Sequence, residues 1–268
     1  MNLRLGCVTI SFNQARFLRE CIESVTCADR SALSHVIVDP GSTDGSREII
    51  SEYAQGQRFH ATILDPDRGP SDGLNKGFAL LADADILGYL NSDDRFDPGA
   101  LDAVLELFQC HPEVDVLMGS GAIIDENGRK HLRKRLSTPF TARRFLHGTA
   151  LNIQQATFFR RAAFVASGGF NVENRSCWDT ELLVDLLLTG ARFCDVRRVL
   201  GHFRVYPGTI TSDIAKNGPD QRYLADRARM RQKLIAAGHR PAQGPIPVIE
   251  YWAYRLNPWR RMMEFLVV

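Results

Sequence analysis

Polar and acidic residues recur at the ends of short apolar runs in the first half of the chain. These groups lie at residues 11–13, at Asp39, at residues 65–72 and at residues 91–94. In an open α/β sheet, ligands bind outside the carboxyl ends of the strands, so the four groups are expected to line one crevice. Neighbouring carboxylates repel each other, and a hard divalent cation holds them together while also binding the oxygens of a diphosphate. The pattern therefore favours chemistry on a diphosphate-bearing substrate.

Each acid taken alone also has an ordinary structural explanation. Asp39 precedes a proline and a glycine and suits a tight turn, and Asp93 with Asp94 suits a turn or a helix cap. Asp65 and Asp67 flank a proline in a loop. The convergence of four strand ends is the stronger signal, because each member by itself is common.

The spacing of apolar residues predicts the elements that must position these groups. Short apolar runs alternate with stretches of helical period, which is typical of parallel βαβ units and predicts an α/β fold. Strands are predicted at residues 5–10, 36–38, 61–64, 86–90, 114–118 and 193–204. Helix starts are predicted at Asn13, at one of Ser42, Thr43 and Asp44, at Ser71 or Asp72, at Asp97-Pro98 and at Asp179. A hairpin or excursion is expected at residues 123–136, a short helix at 138–145 and a basic helix at 220–237.

Composition narrows the class of protein. With 268 residues, 44% hydrophobic content and a net charge of +2, the chain suits a globular protein and gives no overall charge for binding nucleic acid. Its six cysteines form no CxxC pair, so reduced thiols are expected. The first residues lack the pattern of a signal peptide, and no apolar run reaches the roughly 18 residues of a membrane helix. A cytoplasmic protein is therefore predicted.

Five stretches resemble glycosyltransferase family 2 in order and spacing. They are VTISFNQARFLRECIESV, HVIVDPGSTDGS, DRGPSDGLNKGFALLADADILGYLNSDD, QQATFFRRAAFVASGGF and WDTELLVDLLLTG. The resemblance implies the GT-A fold and an inverting transfer from a nucleotide-activated sugar, with a divalent metal such as Mn²⁺ or Mg²⁺. It also implies a glycosyltransferase domain over residues 1–211, with a nucleotide-sugar-binding half at 1–120 and an acceptor-binding half at 121–211. Residues 212–268 are predicted as a helical extension.

The resemblance assigns the donor-binding positions residue by residue. Asp39 matches the acid that hydrogen-bonds the base of the donor nucleotide, typically uracil. Asp93 and Asp94 match a DxD-type region in which one carboxylate contacts the donor and the other the metal; we name Asp93 for the donor and Asp94 for the metal, and the reverse assignment stays open. Asp72 and Asn75, in a segment similar to the family's sDALNKG, are expected beside the donor. An exposed helix with an i,i+4 ion pair is the alternative for this segment.

Asp179 is the predicted catalytic base, since it aligns with the acid of the xDxEL segment of the resembled family. It would accept the proton of the acceptor hydroxyl as that oxygen attacks the anomeric carbon. An ordinary N-cap role for Asp179 is the alternative, and Glu181 is the second candidate base. Two positions depart from the family pattern: Asn91 stands where an aspartate is common, and Tyr206 where a histidine can reach the metal.

The predicted function is transfer of a sugar from a nucleotide-diphosphate sugar, with UDP preferred, to a glycan or lipid-linked acceptor of the cell envelope. A nucleotidyltransferase is one alternative, although VTISFNQAR lacks the glycine- and basic-rich phosphate loop expected of that class. A non-catalytic protein that binds nucleotide sugars is another.

Two basic segments bear on the acceptor and on location. Residues 129–135 predict a solvated loop or hairpin face, with contact to an anionic membrane surface or a lipid-diphosphate acceptor as the alternative. The tail with Trp252, Trp259, Arg260 and Arg261 would lie at a membrane interface, pack on the domain or form a dimer contact. A peripheral position at the inner face of the membrane and a homodimer therefore stay open.

Overall fold

The computed structural model describes residues 3–135 and 137–241. Its strands are β1 (Leu5–Ile10), β2 (Leu33–Val38), β3 (Ala61–Ile63), β4 (Ile86–Asn91), β5 (Arg95–Phe96), β6 (Val116–Ile124), β7 (Lys130–Arg135), β8 (Thr157–Arg160) and β9 (Phe193–Arg204). Its α-helices are α1 (Ala15–Ser24), α2 (Ser46–Gln55), α3 (Pro70–Ala79), α4 (Ala100–Cys110), α5 (Ala142–Leu146), α6 (Arg161–Ser167), α7 (Trp178–Leu188), α8 (Ile210–Asn217) and α9 (Gln221–Ala236). Short 3₁₀ turns lie at Arg30–Ala32 and Gln154–Ala156.

The strands form one mixed sheet in the order β3-β2-β1-β4-β8-β6-β9-β5, with β7 paired to β6. Strands β1 to β4 run parallel, whereas β8 is antiparallel to both of its neighbours, β4 and β6. The strand order reverses between β1 and β4, and such a switch point opens a crevice at the carboxyl ends of the strands. Ile10 pairs with Asn91 in register, so the segments after β1 and β4 begin side by side.

Buried apolar side chains cover both faces of the sheet, because successive residues of a strand point to opposite sides. Val8 of β1 lies in a cluster with Leu74 and Phe78 of α3. Cys7, the preceding residue, lies in a second cluster with Leu101 and Val104 of α4. Helices on both faces of a largely parallel sheet are the layering expected of an α/β protein, and they fix the strand ends in place.

The predicted strands are confirmed, with small shifts at their ends, and the segment at 123–136 enters an antiparallel hairpin of β6 and β7. The predicted cap of α1 is wrong. Asn13 has a φ of 54° and its Oδ1 accepts a hydrogen bond from the Thr43 backbone at 2.9 Å. The first N–H group of α1, that of Ala15, donates instead to Asp44 Oδ2 at 2.8 Å. The loop after β2 therefore caps the helix after β1.

Three further helix starts also differ from the prediction. Helices α2, α3 and α4 begin directly after Gly45, Gly69 and Gly99, which have φ values of 98°, 118° and 72°. Glycine adopts positive φ without strain, so a glycine turn sets the first residue of each helix. At α2 the predicted Asp44 contributes as well, because its Oδ1 accepts from the Ser46 N–H at 3.1 Å. The polar residues predicted as caps lie just before or just after these turns.

The second half contains the predicted helices α7 and α9. Met230 and Leu234 of α9 are fully buried in the same apolar cluster as Leu182 of α7. The division of the chain at residue 211 stays a prediction, and the predicted interfacial tail lies outside the described residues. In the described part of the chain, no helix has the length and apolar character needed to cross a membrane.

Candidate functional site

A cleft of about 790 Å³ opens at the carboxyl ends of β1 and β4, where the strand ends predict it. The segments after these two strands form one wall, with Ser11, Asn91, Asp93 and Asp94 among the lining residues. Trp178 and Asp179 at the start of α7 line the other. The cleft thus lies between the regular first half of the chain and the mixed second half.

Three buried oxygen atoms of the cleft residues lack a hydrogen-bond partner within the described part of the chain. They are Ser11 Oγ, Asn91 Oδ1 and Gln154 Oε1. Buried polar atoms are nearly always paired, so unpaired ones clustered in a cleft indicate a place for a polar ligand. A ligand rich in hydroxyl and phosphate groups suits such a surface.

Asp39 lies outside the cleft lining, and its side chain is fully buried. Its Oδ1 accepts from the backbone N–H groups of Gly41 at 3.1 Å and Ser42 at 2.8 Å and from Arg47 Nε at 3.3 Å. Its Oδ2 accepts from the Ser42 hydroxyl at 2.6 Å. Burial opposes the charge, yet these hydrogen bonds hold the pKa of Asp39 below its ordinary value. The partner expected for this carboxylate is a nucleotide base; in the structure the turn after β2 supplies partners itself.

Asp72 and Asn75 on α3 also lie outside the cleft lining. Asp72 pairs with Arg68 at 3.2 Å and with Lys76 at 3.0 Å, the latter an i,i+4 ion pair. Asn75 donates through Nδ2 to the Phe170 carbonyl at 2.8 Å and accepts through Oδ1 from the Phe170 N–H at 2.9 Å. Both ends of the Asn75 amide therefore anchor the chain near Phe170 to α3. Donor-binding roles for Asp39, Asp72 and Asn75 stay predictions.

Asp93 and Asp94 both line the cleft but have different surroundings. Asp94 is buried, and its two oxygens accept from the Arg204 backbone N–H at 2.8 Å and from Gln155 Nε2 at 2.5 Å. Asp93 accepts through Oδ2 from the Tyr206 hydroxyl at 3.1 Å. No hydrogen bond from another described residue reaches its Oδ1. Burial raises the pKa of both carboxyls, and the neighbouring Asp93 charge adds to the rise at Asp94.

The oxygen atoms at the end of β4 fit a hard divalent cation. No group of three or more His, Cys, Asp or Glu side chains suited to a metal occurs among residues 3–135 and 137–241. Asp93 Oδ1 and the unpaired Asn91 Oδ1 nevertheless offer two hard oxygens two residues apart. Magnesium-like ions take one or two such ligands and complete their shell with phosphate oxygens and water. This arrangement favours Asp93 over the predicted Asp94, whose oxygens are both occupied.

A buried arginine, Arg204, holds the segment that carries Asp93 and Asp94 in place. The Arg204 guanidinium donates to the Asp93 carbonyl at 2.6 Å, forms an ion pair with Glu20 and lies 4.6 Å from the centre of the Phe17 ring. On the same strand, Gly201 allows close packing, because a Cβ there would collide with the Gln155 carbonyl. Strand β9 thereby positions both hydrogen-bond donors that hold Asp94.

Asp179, the predicted base, lies in the first turn of α7 and lines the cleft. Its Oδ2 accepts from Asn152 Nδ2 at 2.5 Å, while its Oδ1 has only a long contact of 3.5 Å with the Thr180 hydroxyl. Burial of the carboxyl raises the pKa of Asp179. The N-cap position belongs to Cys177, so the simple capping role does not apply. A partly buried carboxylate with a raised pKa in a ligand cleft is suited to accept a proton.

Glu181, the second candidate base, is fully buried and lies outside the cleft lining. It accepts from Asn171 at 3.0 Å, from Asn174 at 2.6 Å and from Arg229 at 2.6 Å, and it pairs with Lys233 at 2.9 Å. Burial alone would raise the pKa of Glu181, but these partners lower it to about 2. Glu181 therefore joins α7 to α9 and does not serve the cleft as a base.

Sequence reasoning missed several cleft residues, among them Asn152, Gln155 and Arg175. Gln155 belongs to the stretch QQATFFRRAAFVASGGF, so the resemblance was a signal that could have found it. Asn152 lies 27 residues from Asp179, and no spacing rule links the two.

Comparison with known proteins decides the family. A family model described as "Glycosyl transferase family 2" matches residues 7–167, which is more than half of the chain. The chain belongs to glycosyltransferase family 2. The enzyme is 26% identical over 265 residues to an uncharacterized glycosyltransferase of Mycobacterium tuberculosis H37Rv, covering 95% of this chain and 94% of that one. The predicted family and the predicted class of enzyme are confirmed.

Solved structures show the fold. Residues 1–349 of Staphylococcus aureus TarS, in complex with UDP-GlcNAc, align with a TM-score of 0.61 at 16% identity, covering 87% of this chain and 72% of that one. The enzyme spans 43% of the longer TarS chain. The mannosyltransferase PcManGT of Pyrobaculum calidifontis, in complex with GDP-Man and Mn²⁺, aligns with a TM-score of 0.59 at 20% identity, covering 97% of this chain and 72% of that one. The predicted GT-A fold is confirmed.

Proposed function

We propose that the enzyme transfers a sugar, with inversion at the anomeric carbon, from a UDP-sugar to a hydroxyl group of a glycan or lipid-linked acceptor. The observation that carries the proposal is that Asp179, a partly buried carboxylate, lines the same cleft as the strand-end acids Asp93 and Asp94. A single base on one side of the donor and a diphosphate site on the other are what a direct displacement requires.

The surroundings of Asp179 suit the deprotonation of an acceptor hydroxyl. Asn152 donates to Oδ2 at 2.5 Å, and Oδ1 has only a long side-chain contact with the Thr180 hydroxyl. The raised pKa makes Asp179 a stronger base than an exposed aspartate. The acceptor oxygen would attack the anomeric carbon as its proton passes to Asp179 and the bond from that carbon to the diphosphate breaks.

Asp93 and Asn91 would hold a divalent cation, Mn²⁺ or Mg²⁺, in preference to the predicted Asp94. When bound, such an ion supplies positive charge to the departing diphosphate. The proposal is supported by the two unpaired oxygens at the end of β4 and by the Mn²⁺ in the PcManGT complex. Tyr206, which bonds to Asp93, occupies the position where a family histidine can reach the metal.

The TarS complex with UDP-GlcNAc supports UDP as the donor nucleotide. A GDP-sugar is the second candidate, supported by the PcManGT complex with GDP-Man, which covers more of the chain. A cytoplasmic location with peripheral contact at the inner face of the membrane, and a homodimer, stay predictions.

Thermal unfolding in the presence of UDP-, GDP- and dTDP-sugars, each with and without Mn²⁺, tests the donor. We expect stabilisation by UDP-sugars that increases with Mn²⁺, because a ligand that binds only the folded state raises the midpoint. Stabilisation by none of these compounds would exclude the proposed function. Proton NMR of the sugar released or transferred then reports the anomeric configuration, and retention would exclude an inverting transfer.

A further inference from the structure

Arg175 lies in the cleft lining on the loop before α7, and its side chain is exposed. Within the described part of the chain, its guanidinium makes no hydrogen bond or ion pair. It lies across from Gly69, where an added Cβ would be 3.5 Å from the Arg175 Nε. A cation without a protein partner in a ligand cleft is available for an anionic ligand.

Most charged side chains that line the cleft around Arg175 are negative. Four carboxylates and two guanidinium groups line the described part of the cleft. The second guanidinium, that of Arg68, is already paired with Asp72 at 3.2 Å. Burial raises the pKa of Asp67, and the Arg175 charge acts in the opposite direction without direct contact. The carboxylates are those of Asp67, Asp93, Asp94 and Asp179. An anionic ligand entering this cleft therefore meets Arg175 as its unpaired cation.

The residues beside Arg175 are held firmly in place. Asn174 is fully buried, and its Oδ1 accepts from the backbone N–H groups of Ser176 at 3.1 Å and Cys177 at 2.9 Å. The Ser176 hydroxyl donates to Asp226 of α9 at 2.5 Å. Since both neighbours are anchored, the backbone of Arg175 is fixed although its side chain is not. A fixed base for a long cationic side chain reduces the cost of ordering it on a ligand.

We propose that Arg175 binds the diphosphate of the nucleotide-sugar donor and balances the charge of the departing nucleoside diphosphate. This proposal rests on the proposed function. The planar guanidinium donates two parallel hydrogen bonds to phosphate oxygens, which a lysine cannot reproduce. Because the leaving group gains negative charge as its bond to the anomeric carbon breaks and the acceptor oxygen bonds to that carbon, a cation at this position stabilises the transition state more than the bound donor. Arg175, which lies against Gly69 at the start of α3, is then a catalytic residue for the departure of the diphosphate.

Binding of UDP and of uridine to Arg175→Gln, Arg175→Lys and wild type tests the assignment. Titration calorimetry measures UDP, and ligand-observed NMR measures the weaker uridine. We expect Arg175→Gln to weaken UDP binding by about ten- to a hundredfold, the range of a charge-assisted hydrogen bond, with uridine binding unchanged. Arg175→Lys should retain part of the UDP affinity, because it keeps the positive charge but loses the two parallel hydrogen bonds of the guanidinium.

The matched control is Arg192→Gln, which removes an exposed arginine that faces Asp115. It should bind UDP as the wild type does. The unfolding midpoint of Arg175→Gln should equal that of the wild type, because the side chain makes no bond to the described protein. Unchanged UDP affinity in Arg175→Gln, or an equal loss for UDP and uridine, would overturn the role of Arg175. A wild-type enzyme that binds neither UDP nor GDP would instead refute the proposed function itself.

Discussion

The turn after β2 and the start of α7 hold their carboxylates in different ways. At the turn after β2, a partner lies close in sequence, as where Ser42 donates to Asp39 three residues before it. At the start of α7, partners come from distant elements, as where Asn152 holds Asp179 and where Arg229 of α9 holds Glu181. A local partner is present as soon as a turn forms, whereas a distant one requires the whole fold. The geometry of the predicted base therefore depends on tertiary packing far more than the turn after β2 does.

The largest expected effect follows from Asp179→Asn. Its amide cannot accept a proton, so we expect kcat/KM to fall by about 10²–10⁴-fold, with unchanged UDP affinity and unfolding midpoint. Steady-state kinetics measures kcat/KM, titration calorimetry measures the UDP affinity, and thermal unfolding measures the midpoint. Asp83→Asn, which removes an exposed partner of Arg4, is the matched control and should keep full activity. Full activity of Asp179→Asn would refute the base assignment.

The link between α7 and α9 predicts the next largest effect. We expect Glu181→Gln to lower the free energy of unfolding by about 2 kcal/mol, less than for a wholly buried pair because Arg229 and Lys233 are partly exposed. The pKa of Glu181 is about 2 in the folded state against 4.5 ordinarily, so its stabilisation is complete above pH 4.5 and is lost as the pH falls towards 2.

Denaturant unfolding of both proteins between pH 6 and pH 2 checks this window, with the pH range chosen to span about two units around the ordinary carboxyl pKa. The wild type should lose stability more steeply than Glu181→Gln as the pH falls. Glu52→Gln, at an exposed ion pair with Arg19, serves as the control and should change little. Parallel curves for wild type and Glu181→Gln would contradict the role of this link.

Asn152→Ala removes the distant partner of Asp179. We expect kcat/KM to fall by about tenfold, the cost of a lost charge-assisted hydrogen bond. The Asn152 hydrogen bond also lowers the pKa of Asp179 against the effect of burial. In the wild type, kcat/KM should rise with pH through the Asp179 pKa, and in Asn152→Ala that midpoint should move to higher pH. A slower variant with an unmoved midpoint would show that Asn152 acts on something other than the base.

The smallest expected effects come from one chemical change made at two places, the turn after β2 and the loop before α7. Ser42→Ala and Ser176→Ala each remove one hydroxyl bonded to a carboxylate, a local one in Asp39 and a distant one in Asp226. We expect each to cost about 1 kcal/mol of unfolding free energy. Ser176→Ala should also weaken UDP binding, since it loosens the loop that carries Arg175. Unchanged UDP affinity in Ser176→Ala would contradict this coupling.

Much of the fold could be predicted from the sequence, because it follows local rules. Apolar runs of strand length and helical periods depend on neighbouring residues, and they located β1, β4, α7 and β9. The exact helix starts could not, because glycine turns at Gly45, Gly69 and Gly99 set them. The strand-end position of the cleft was also predictable, since it follows from parallel order alone.

The site could be predicted only in part. Asp93, Asp94 and Asp179 do lie together in the cleft, as their motifs indicate. Which oxygens stay open could not be predicted, because Gln155, Arg204 and Tyr206 reach the acids from elements more than 60 residues away. The partner of Asp39 is easier to predict, because Ser42 lies only three residues further along the chain.

Helix α9 limits how the enzyme can be re-engineered. Its Met230 and Leu234 complete the core under α7, and its Arg229 neutralises Glu181 two residues after Asp179. A chimera that took its C-terminal segment from a relative would bring a foreign surface against the helix that carries the base. Changes of acceptor preference made by exchanging that segment would therefore have to include α7, so that both helices are inherited as one unit.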